Sequence, residues 1–380
     1  MNLPQQKLFA PAIRFYLCGA MGNELTKPSS KPVAIWLMIG VGMIIVQILL
    51  GGITRLTGSG LSITEWNVMT GTLPPLTESA WIAEFEKYKQ TPQFSLLNAD
   101  FTLPDFKFIF FWEWFHRFWA RLIGVVFLIP FVIFLVQKRF RPSMVKPMII
   151  LFLLGALQGA VGWIMVASGL TGDAIYVKPT RLALHFIFAM GLLCYTFWFA
   201  LTLLVPPSQR QSNKGIAKWI IASLSVLVLQ FIYGALMAGH KAATAAPTWP
   251  DINGEIIPPN MMRSEEGILN LIDNRITIHF IHRGLAYLLL FMVLYFSWRL
   301  LKMQTGKLLS AIKFLPAILV LLQVVLGVLS VLNSLKIVPN QWGIFEWMAQ
   351  LHQLVAMFLL LAMVAVYYFV RSGKEEGRAV

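Results

Sequence analysis

Eight long apolar stretches, separated by shorter polar segments, dominate the hydrophobic pattern of the chain. Each stretch is long enough to cross the roughly 30 Å hydrocarbon layer of a bilayer. Each should be a helix, because a backbone in lipid must satisfy its own hydrogen bonds. The pattern therefore predicts an all-α polytopic membrane protein. We number the stretches as spans 1 to 8, near residues 33–53, 109–136, 146–168, 181–205, 216–238, 276–300, 311–333 and 346–370.

The charge distribution predicts how the spans are oriented. The chain is 57% hydrophobic and has a net charge of +14, and its Lys and Arg residues concentrate in the short loops after spans 2, 4 and 6. The positive-inside rule places those loops in the cytoplasm. The long loops on the other side, about 54–108 and 239–275, carry more acidic than basic residues. We expect a bacterial cytoplasmic-membrane protein with both termini cytoplasmic and no nucleic-acid partner.

The membrane part of the sequence is duplicated. Motif positions of the first half recur in the second at offsets of 165 to 183 residues: Gln47, Trp66, Gly71, Pro75, His116, Gln158 and His185 match Gln230, Trp249, Gly254, Pro258, His282, Gln323 and His352. The repeat predicts two four-helix bundles side by side, related by an axis along the membrane normal. The predicted divisions are an N-terminal segment 1–32, a first half 33–205, a linker 206–215, a second half 216–370 and a tail 371–380.

Histidines occupy equivalent positions near the outer ends of the even-numbered spans. The two pairs are His116 with His185 and His282 with His352. A single intramembrane histidine could simply bond a backbone carbonyl, but ionisable residues in spans are functional candidates by default, and their repetition favours ligation. Imidazole is an axial ligand of haem iron, and facing helices can hold one porphyrin between two rings. The sequence therefore predicts one haem site in each half, near the outer face.

An arginine follows one histidine directly in each half, at Arg117 and Arg283. A guanidinium near the outer interface could bind a haem propionate through two hydrogen bonds, or it could extend to the lipid headgroups. Spans 3 and 7 also carry small residues beside the repeated glutamines, including Gly162 and Gly327. These residues indicate either close helix packing or room for the flat face of a cofactor.

The halves differ at one chemically informative position. Glu113 stands three residues before His116 and so shares its helix face, whereas the equivalent residue of the second half is His279. A carboxylate beside a haem can accept or relay a proton; the alternative is an ion pair with Arg117 or Arg121. We predict that the first half performs chemistry and the second stores electrons. His279 is predicted to support a ligand rather than act as one.

Two further predictions concern His240 and the spacing between Glu113 and His116. His240 lies in the second outer loop and is predicted to face solvent. The spacing Glu-x-x-His also occurs in di-iron bundles, which need two such motifs and additional glutamates. The motif occurs once here, at Glu113 and His116, so a di-iron site is disfavoured.

Several long strings stand out in the sequence, among them residues 51–66 (GGITRLTGSGLSITEW), 71–75 (GTLPP), 85–89 (FEKYK) and 106–117 (FKFIFFWEWFHR). They closely resemble the haem A synthase family of aerobic bacteria and mitochondria. The likeness continues through 248–250, 282–283 and 351–353, and it covers roughly residues 33–370. Strings of this length are specific to the family.

The resemblance implies oxidation of the C8 methyl of haem O to the formyl group of haem A, through a hydroxymethyl intermediate, for terminal cytochrome oxidases. It implies a resident haem B at His282 and His352 beside Arg283. The substrate haem O would bind at His116 and His185 beside Arg117, with Glu113 as the essential carboxylate. The farnesyl-type tail of haem O would lie against lipid or between spans.

One departure from some bacterial relatives concerns cysteine. Residues 54–108 contain no cysteine, and Cys18 and Cys194 are the only two in the chain. The resemblance is therefore to the cysteine-free branch, and electron delivery through a loop disulfide is unsupported. The electron donor and oxygen source stay open. Haem O synthase is a candidate partner besides haem O and lipid, and the small-residue faces permit a homo-oligomer.

Two other functions remain compatible with the residues. One is a di-haem b-type electron carrier that performs no chemistry on the porphyrin. The other is a non-catalytic protein that binds or transports haem, or that assists oxidase assembly.

Overall fold

The computed structural model describes residues 30–65, 72–259, 261–262, 267–338 and 341–372. The motif positions Trp66 and Gly71, together with Cys18, lie outside the described residues, as do most of the N-terminal segment and the tail. Within the described ranges the fold is built from helices, and eight of them are long and apolar enough to span a membrane: Lys31–Leu56, Leu103–Val136, Pro142–Ala167, Pro179–Leu204, Lys214–Gly239, Arg275–Leu301, Lys307–Leu332 and Ile344–Val370. The predicted all-α, eight-span architecture is confirmed.

Two spans differ from the hydropathy pattern for local reasons. Span 2 begins at Leu103, about one and a half turns before its predicted start, because the Asp105 carboxylate accepts the Thr102 backbone N–H at 2.9 Å and caps the helix. Span 7 is divided into Lys307–Ile312 and Leu315–Leu332. Pro316 starts the second piece, since a proline lacks the N–H that an interior helical turn would need but that a first turn leaves unpaired.

The helix neighbours are consistent with two four-helix units. In the first half span 4 packs on spans 1 and 3, and span 1 also packs on span 2; in the second half span 8 packs on spans 5 and 7, and span 5 on span 6. Spans 4, 5 and 8 form most of the contact between the halves. One difference stands out: spans 6 and 7 pack on each other, whereas spans 2 and 3 make no comparable contact in the described chain.

Polar side chains tie the two halves together inside this apolar interface. Gln350 and Gln353 of span 8 donate to the span 1 carbonyls of Leu49 and Ile48, at 3.3 and 3.0 Å. Arg55, at the end of span 1, donates to the carbonyl of Ala238 at the end of span 5, at 2.6 Å. Buried donors are costly unless they are paired, so these bonds fix the register between the halves.

Both long loops, which the charge pattern predicts to be on the outer side, have described parts that are folded over the ends of the spans. In the first loop the helices Glu78–Lys89 and Pro92–Leu97 pack an aromatic cluster onto the start of span 2. Tyr88 is fully buried there, its ring stacks on Phe106 at 5.3 Å between centroids, and its hydroxyl bonds Gln93 and Asn98. Burial raises the pKa of Tyr88 to about 12, because desolvation disfavours the phenolate.

Candidate functional site

One cavity of about 1490 Å³ reaches into both halves and is lined by His116, His185, His282 and His352. The repeat therefore brings all the predicted ligands to one connected space. Ordinary small-molecule pockets measure about 300–1,000 Å³. The cavity is large enough for more than one such ligand.

In the second half the two histidine rings converge from spans 6 and 8. The ring centroids of His282 and His352 are 6.4 Å apart, and the ring planes make an angle of 68°. This separation leaves room for a metal ion between the rings, because metal–imidazole bonds measure about 2 Å. The pair fits a haem held by two axial imidazoles.

The hydrogen bonds of His352 leave it in the form that can bind a metal. Its Nδ1 lies 3.0 Å from the backbone oxygen of Gln323, which can only accept, so Nδ1 carries the proton. Its Nε2 then holds the lone pair, and the Gln323 amide lies 3.1 Å from that atom. Gln230 stands in the same relation to Nε2 of His282, at 3.3 Å. The carbonyl at Nδ1 is the kind of partner that orients a ligating ring, whereas a metal at Nε2 would displace the glutamine amide.

In the first half the rings of His116 and His185 pack against glycines of neighbouring spans. A Cβ atom added to Gly162 would lie 2.8 Å from Cε1 of His185, and one added to Gly51 would lie 3.4 Å from Nε2 of His116. The Gln158 amide lies 3.2 Å from Nδ1 of His185. His116 and His185 are therefore positioned by the same kind of neighbours as the pair in the second half.

Each ligand histidine has a glycine partner that follows a glutamine by four residues. The pattern Gln-x-x-x-Gly occurs on every odd-numbered span, at 47–51, 158–162, 230–234 and 323–327. A Cβ added to Gly234 or Gly327 would lie 3.3 Å from His282 or 2.9 Å from His352. Sequence reasoning identified the glutamines but assigned Gly162 and Gly327 only to packing or cofactor space; the repeated spacing was the signal for their contact with the rings.

Glu113 lies at the wall of the cavity, where its carboxylate accepts three hydrogen bonds. The residue is 2% exposed, Oε2 accepts from the Ser62 hydroxyl at 2.7 Å and from the Ile63 N–H at 2.9 Å, and Oε1 accepts from Arg117 at 2.5 Å. The ion pair with Arg117 is thus formed, as the alternative interpretation of Glu113 expected. The carboxylate also holds residues 62–63 of the first loop over the cavity.

His279 and Arg283 occupy the equivalent positions of the second half and hold the second loop. Arg283 donates to Nδ1 of His279 at 3.0 Å. Its remaining nitrogens donate to loop carbonyls, those of Asp251 at 2.6 Å, Ala246 at 3.0 Å and Thr248 at 2.9 Å. Both arginines line the cavity, and their binding of haem propionates remains a prediction.

The prediction that His240 faces solvent is wrong. Its side chain is 14% exposed, and its Nε2 lies 2.8 Å from the Ile272 carbonyl and 3.7 Å from the Asp273 carboxylate. His240 follows the last residue of span 5 and so ties that helix end to the segment before span 6. Sequence distance concealed this contact, because the two segments are about thirty residues apart.

Fold and cavity together define a multi-pass α-helical membrane protein whose paired histidines line an intramembrane cavity. The family of cytochrome oxidase assembly proteins designated COX15-CtaA matches residues 34–364. The chain therefore belongs to the COX15-CtaA family.

Similar proteins of three bacteria carry the name heme A synthase. The Flavobacterium johnsoniae protein is 40% identical over 343 residues, which cover 89% of this chain and 97% of the relative. The Rhodospirillum centenum protein is 41% identical, with 83% of this chain and 85% of the relative covered. The protein of Bradyrhizobium sp. strain ORS 278 is 41% identical, with coverages of 88% and 91%.

Proposed function

We propose that this protein is a haem A synthase, an oxidoreductase that converts the C8 methyl of haem O to a formyl group. The observation that carries the proposal is the asymmetry of the duplicated cavity. A buried carboxylate, Glu113, stands one helical turn from the ligand His116 in the first half, where the second half has His279. The similar bacterial proteins named heme A synthase support the same assignment.

His282 and His352 would hold a resident haem B, on the support of their convergent rings and of the tautomer that the Gln323 carbonyl fixes for His352. That haem would supply reversible one-electron chemistry. His116 and His185 would bind the substrate haem O. Because the substrate must enter and the product must leave, at least one of these two bonds must be readily reversible.

Glu113 would accept a proton as the methyl carbon is oxidised. A carboxylate offers about four lone-pair sites, and the described contacts occupy three of them. One acceptor site therefore remains for a substrate proton. Arg117 is placed to keep the carboxylate oriented and to release it when a proton arrives. The Ser62 and Ile63 contacts close the first loop over the reacting group and limit its access to water.

The proposal is tested by purifying the protein from cells that make haem O and identifying the extracted haems by mass. Haem B together with haem O, the hydroxylated intermediate or haem A is expected. Haem B alone would refute the assignment, as it would indicate a di-haem electron carrier.

Glu113→Gln supplies the residue-level test. The amide is nearly isosteric, so it should retain bound haem B, lose most haem A and accumulate haem O or the hydroxylated intermediate. Ser225→Ala, on the exposed face of span 5, is the control because its hydroxyl only bonds its own helix. Normal haem A output from Glu113→Gln would show that the protein acts without this carboxylate.

A further inference from the structure

The cavity extends deeper into the membrane in the first half than in the second. Its lining reaches Trp36 on span 1 but only Leu227 on span 5, although the repeat counterpart of Trp36 is Trp219. It reaches Thr196 on span 4 but only Ala356 on span 8, where the counterpart of Thr196 is Met363. Along all four helices the first half is deeper by four to eight residues, or roughly 6–12 Å at the helical rise of about 1.5 Å per residue. We call this added depth the deep arm.

Glycines widen the cavity of the first half where the deep arm begins. Gly124 of span 2 lies at the top of the arm, Gly155 and Gly159 of span 3 line the cavity just above it, and a Cβ added to any of them would meet no heavy atom within 4 Å. At the repeat offsets of 166 and 165, their counterparts are larger: Leu290, Val320 and Val324. Val320 is 2% exposed and belongs to the main apolar core, against which Leu290 also packs. Val320 and Val324 line the cavity of the second half, so their side chains narrow it at the depth where the first half has glycines.

The deep arm also has a route to the lipid. Spans 2 and 3, which carry these three glycines, make no extensive contact with each other in the described chain, whereas spans 6 and 7 pack together. The apolar side chains Leu128 and Phe152 line the arm and are 56% and 60% exposed. A long apolar group could therefore enter sideways between these spans while remaining joined to a ligand at the histidines.

We infer that the deep arm binds the hydrocarbon tail of the substrate haem and thereby fixes how the porphyrin is rotated in its plane. The inference rests on the proposed function, since it concerns the haem bound by His116 and His185. The lining of the arm is apolar, it is continuous with that histidine pair, and its extra length lies on the side away from the outer loops. The second half lacks the arm and so favours a haem without a tail.

The tail would gain little free energy from the arm, but it would collide with side chains that narrow the entrance of the arm. Lipid chains are as apolar as the arm, so moving a tail from lipid into it gains little hydrophobic free energy. A porphyrin held only through its iron, by contrast, can rotate about the axis through the two imidazoles. With its tail in the arm, haem O presents one fixed edge to Glu113, so a single methyl group is oxidised.

The test narrows the entrance of the arm with the residues of the second half. Protein loaded with haem B in its second half is titrated with haem O and with haem B, and absorption spectra report binding at the first pair. For Gly155→Val with Gly159→Val, the Kd for haem O should rise at least about tenfold, as expected for overpacking by more than 1 kcal/mol. The Kd for tailless haem B should change by less than about threefold.

Matched controls are Gly42→Val and Gly191→Val. Both are exposed helical glycines of the first half with open space around an added Cβ, and neither lines the cavity. Neither should alter either titration. If the double variant fails to fold, Gly124→Leu narrows the arm from the opposite wall and should give the same selective loss.

An equal change of both Kd values, or no change of either, would overturn the inference. Neither result would bear on the proposed function, which is tested by haem A formation in the unmodified protein. Conversely, the double variant could selectively lose haem O binding while the unmodified protein forms no haem A. That result would support binding of the tail in the deep arm and would reject the proposed function. The two failures are therefore distinguishable.

Discussion

Glu113 and His279 show how one helical position serves two purposes in a duplicated protein. Each residue pairs with the arginine four positions later, and each arrangement holds an outer loop over the cavity. In the first half the loop is held by the carboxylate, through Ser62 and Ile63. In the second half it is held by the guanidinium of Arg283. The carboxylate thus holds the loop and also shares a helix face with His116.

At the residue scale we predict that Arg283→Gln destabilises the second loop. The substitution removes three carbonyl contacts and the bond to His279, and each hydrogen bond from a charged group contributes about 1.5–3 kcal/mol. Thermal unfolding in detergent should occur at lower temperature, and limited proteolysis should cut within 239–259 faster. Arg299→Gln is the control, because Arg299 makes one exposed contact, with Tyr295. Equal effects of the two changes would contradict this role for Arg283.

At the scale of elements, the odd-numbered spans provide the glycines against which the ligand rings pack. Helical glycine normally destabilises a helix by about 0.5–1 kcal/mol relative to alanine, so its use at four equivalent positions needs a tertiary reason. The ring contacts of 2.8 to 3.4 Å to an added Cβ supply that reason. The same residue type then serves a second purpose on spans 2 and 3, where it leaves volume open instead.

Gly327→Ala should therefore reduce the haem content of the second half. The added Cβ would lie 2.9 Å from Cε1 of His352 and would push the ring off its axis, while Gly234→Ala, at 3.3 Å from His282, should have a smaller effect. Haem per protein and the absorption spectrum measure the outcome. Gly284→Ala is the control, because open space surrounds an added Cβ there. Unchanged haem content in Gly327→Ala would show that the ring has room to move.

At the scale of the whole molecule, the two histidine pairs belong to different halves that share one cavity. Spans 4, 5 and 8 join the halves, and the bonds from Gln350, Gln353 and Arg55 cross between them. Because each pair is carried by helices of its own half, loss of one pair leaves the packing around the other in place. The shared cavity would allow two bound haems to lie near each other, although each histidine pair is positioned by the helices of its own half.

We therefore predict that the sites load independently. His282→Ala should lose haem B from the second half and keep the ability to bind haem O, whereas His116→Ala should keep haem B and lose haem O. Extraction and mass identification of the bound haems measure both. His240→Gln should retain both, because an amide can replace its contact with the Ile272 carbonyl. Loss of haem B from His116→Ala would show that the halves depend on each other.

Much of the fold could be predicted from the sequence because hydropathy and repetition act locally. The eight spans were located to within a few residues, and the start of span 2 was missed because Asp105 and Lys107 lower its hydropathy although Asp105 caps the helix. The histidines could be paired because the repeat marks equivalent depths. The contact of Gly162 with His185 could not be predicted in this way, because it depends on how spans 3 and 4 are rotated about their own axes.

The sequence by itself determined the class of fold, the residues that face the cavity as ligand candidates and the one carboxylate that breaks the repeat. The tertiary structure alone decided which groups Arg117 and Arg283 bind, that His240 is enclosed, and that the cavity runs deeper in the first half. The physical reason is that hydropathy and spacing constrain single helices. Hydrogen-bond partners and cavity volume arise from side chains far apart in the chain, and they exist only once the helices are packed.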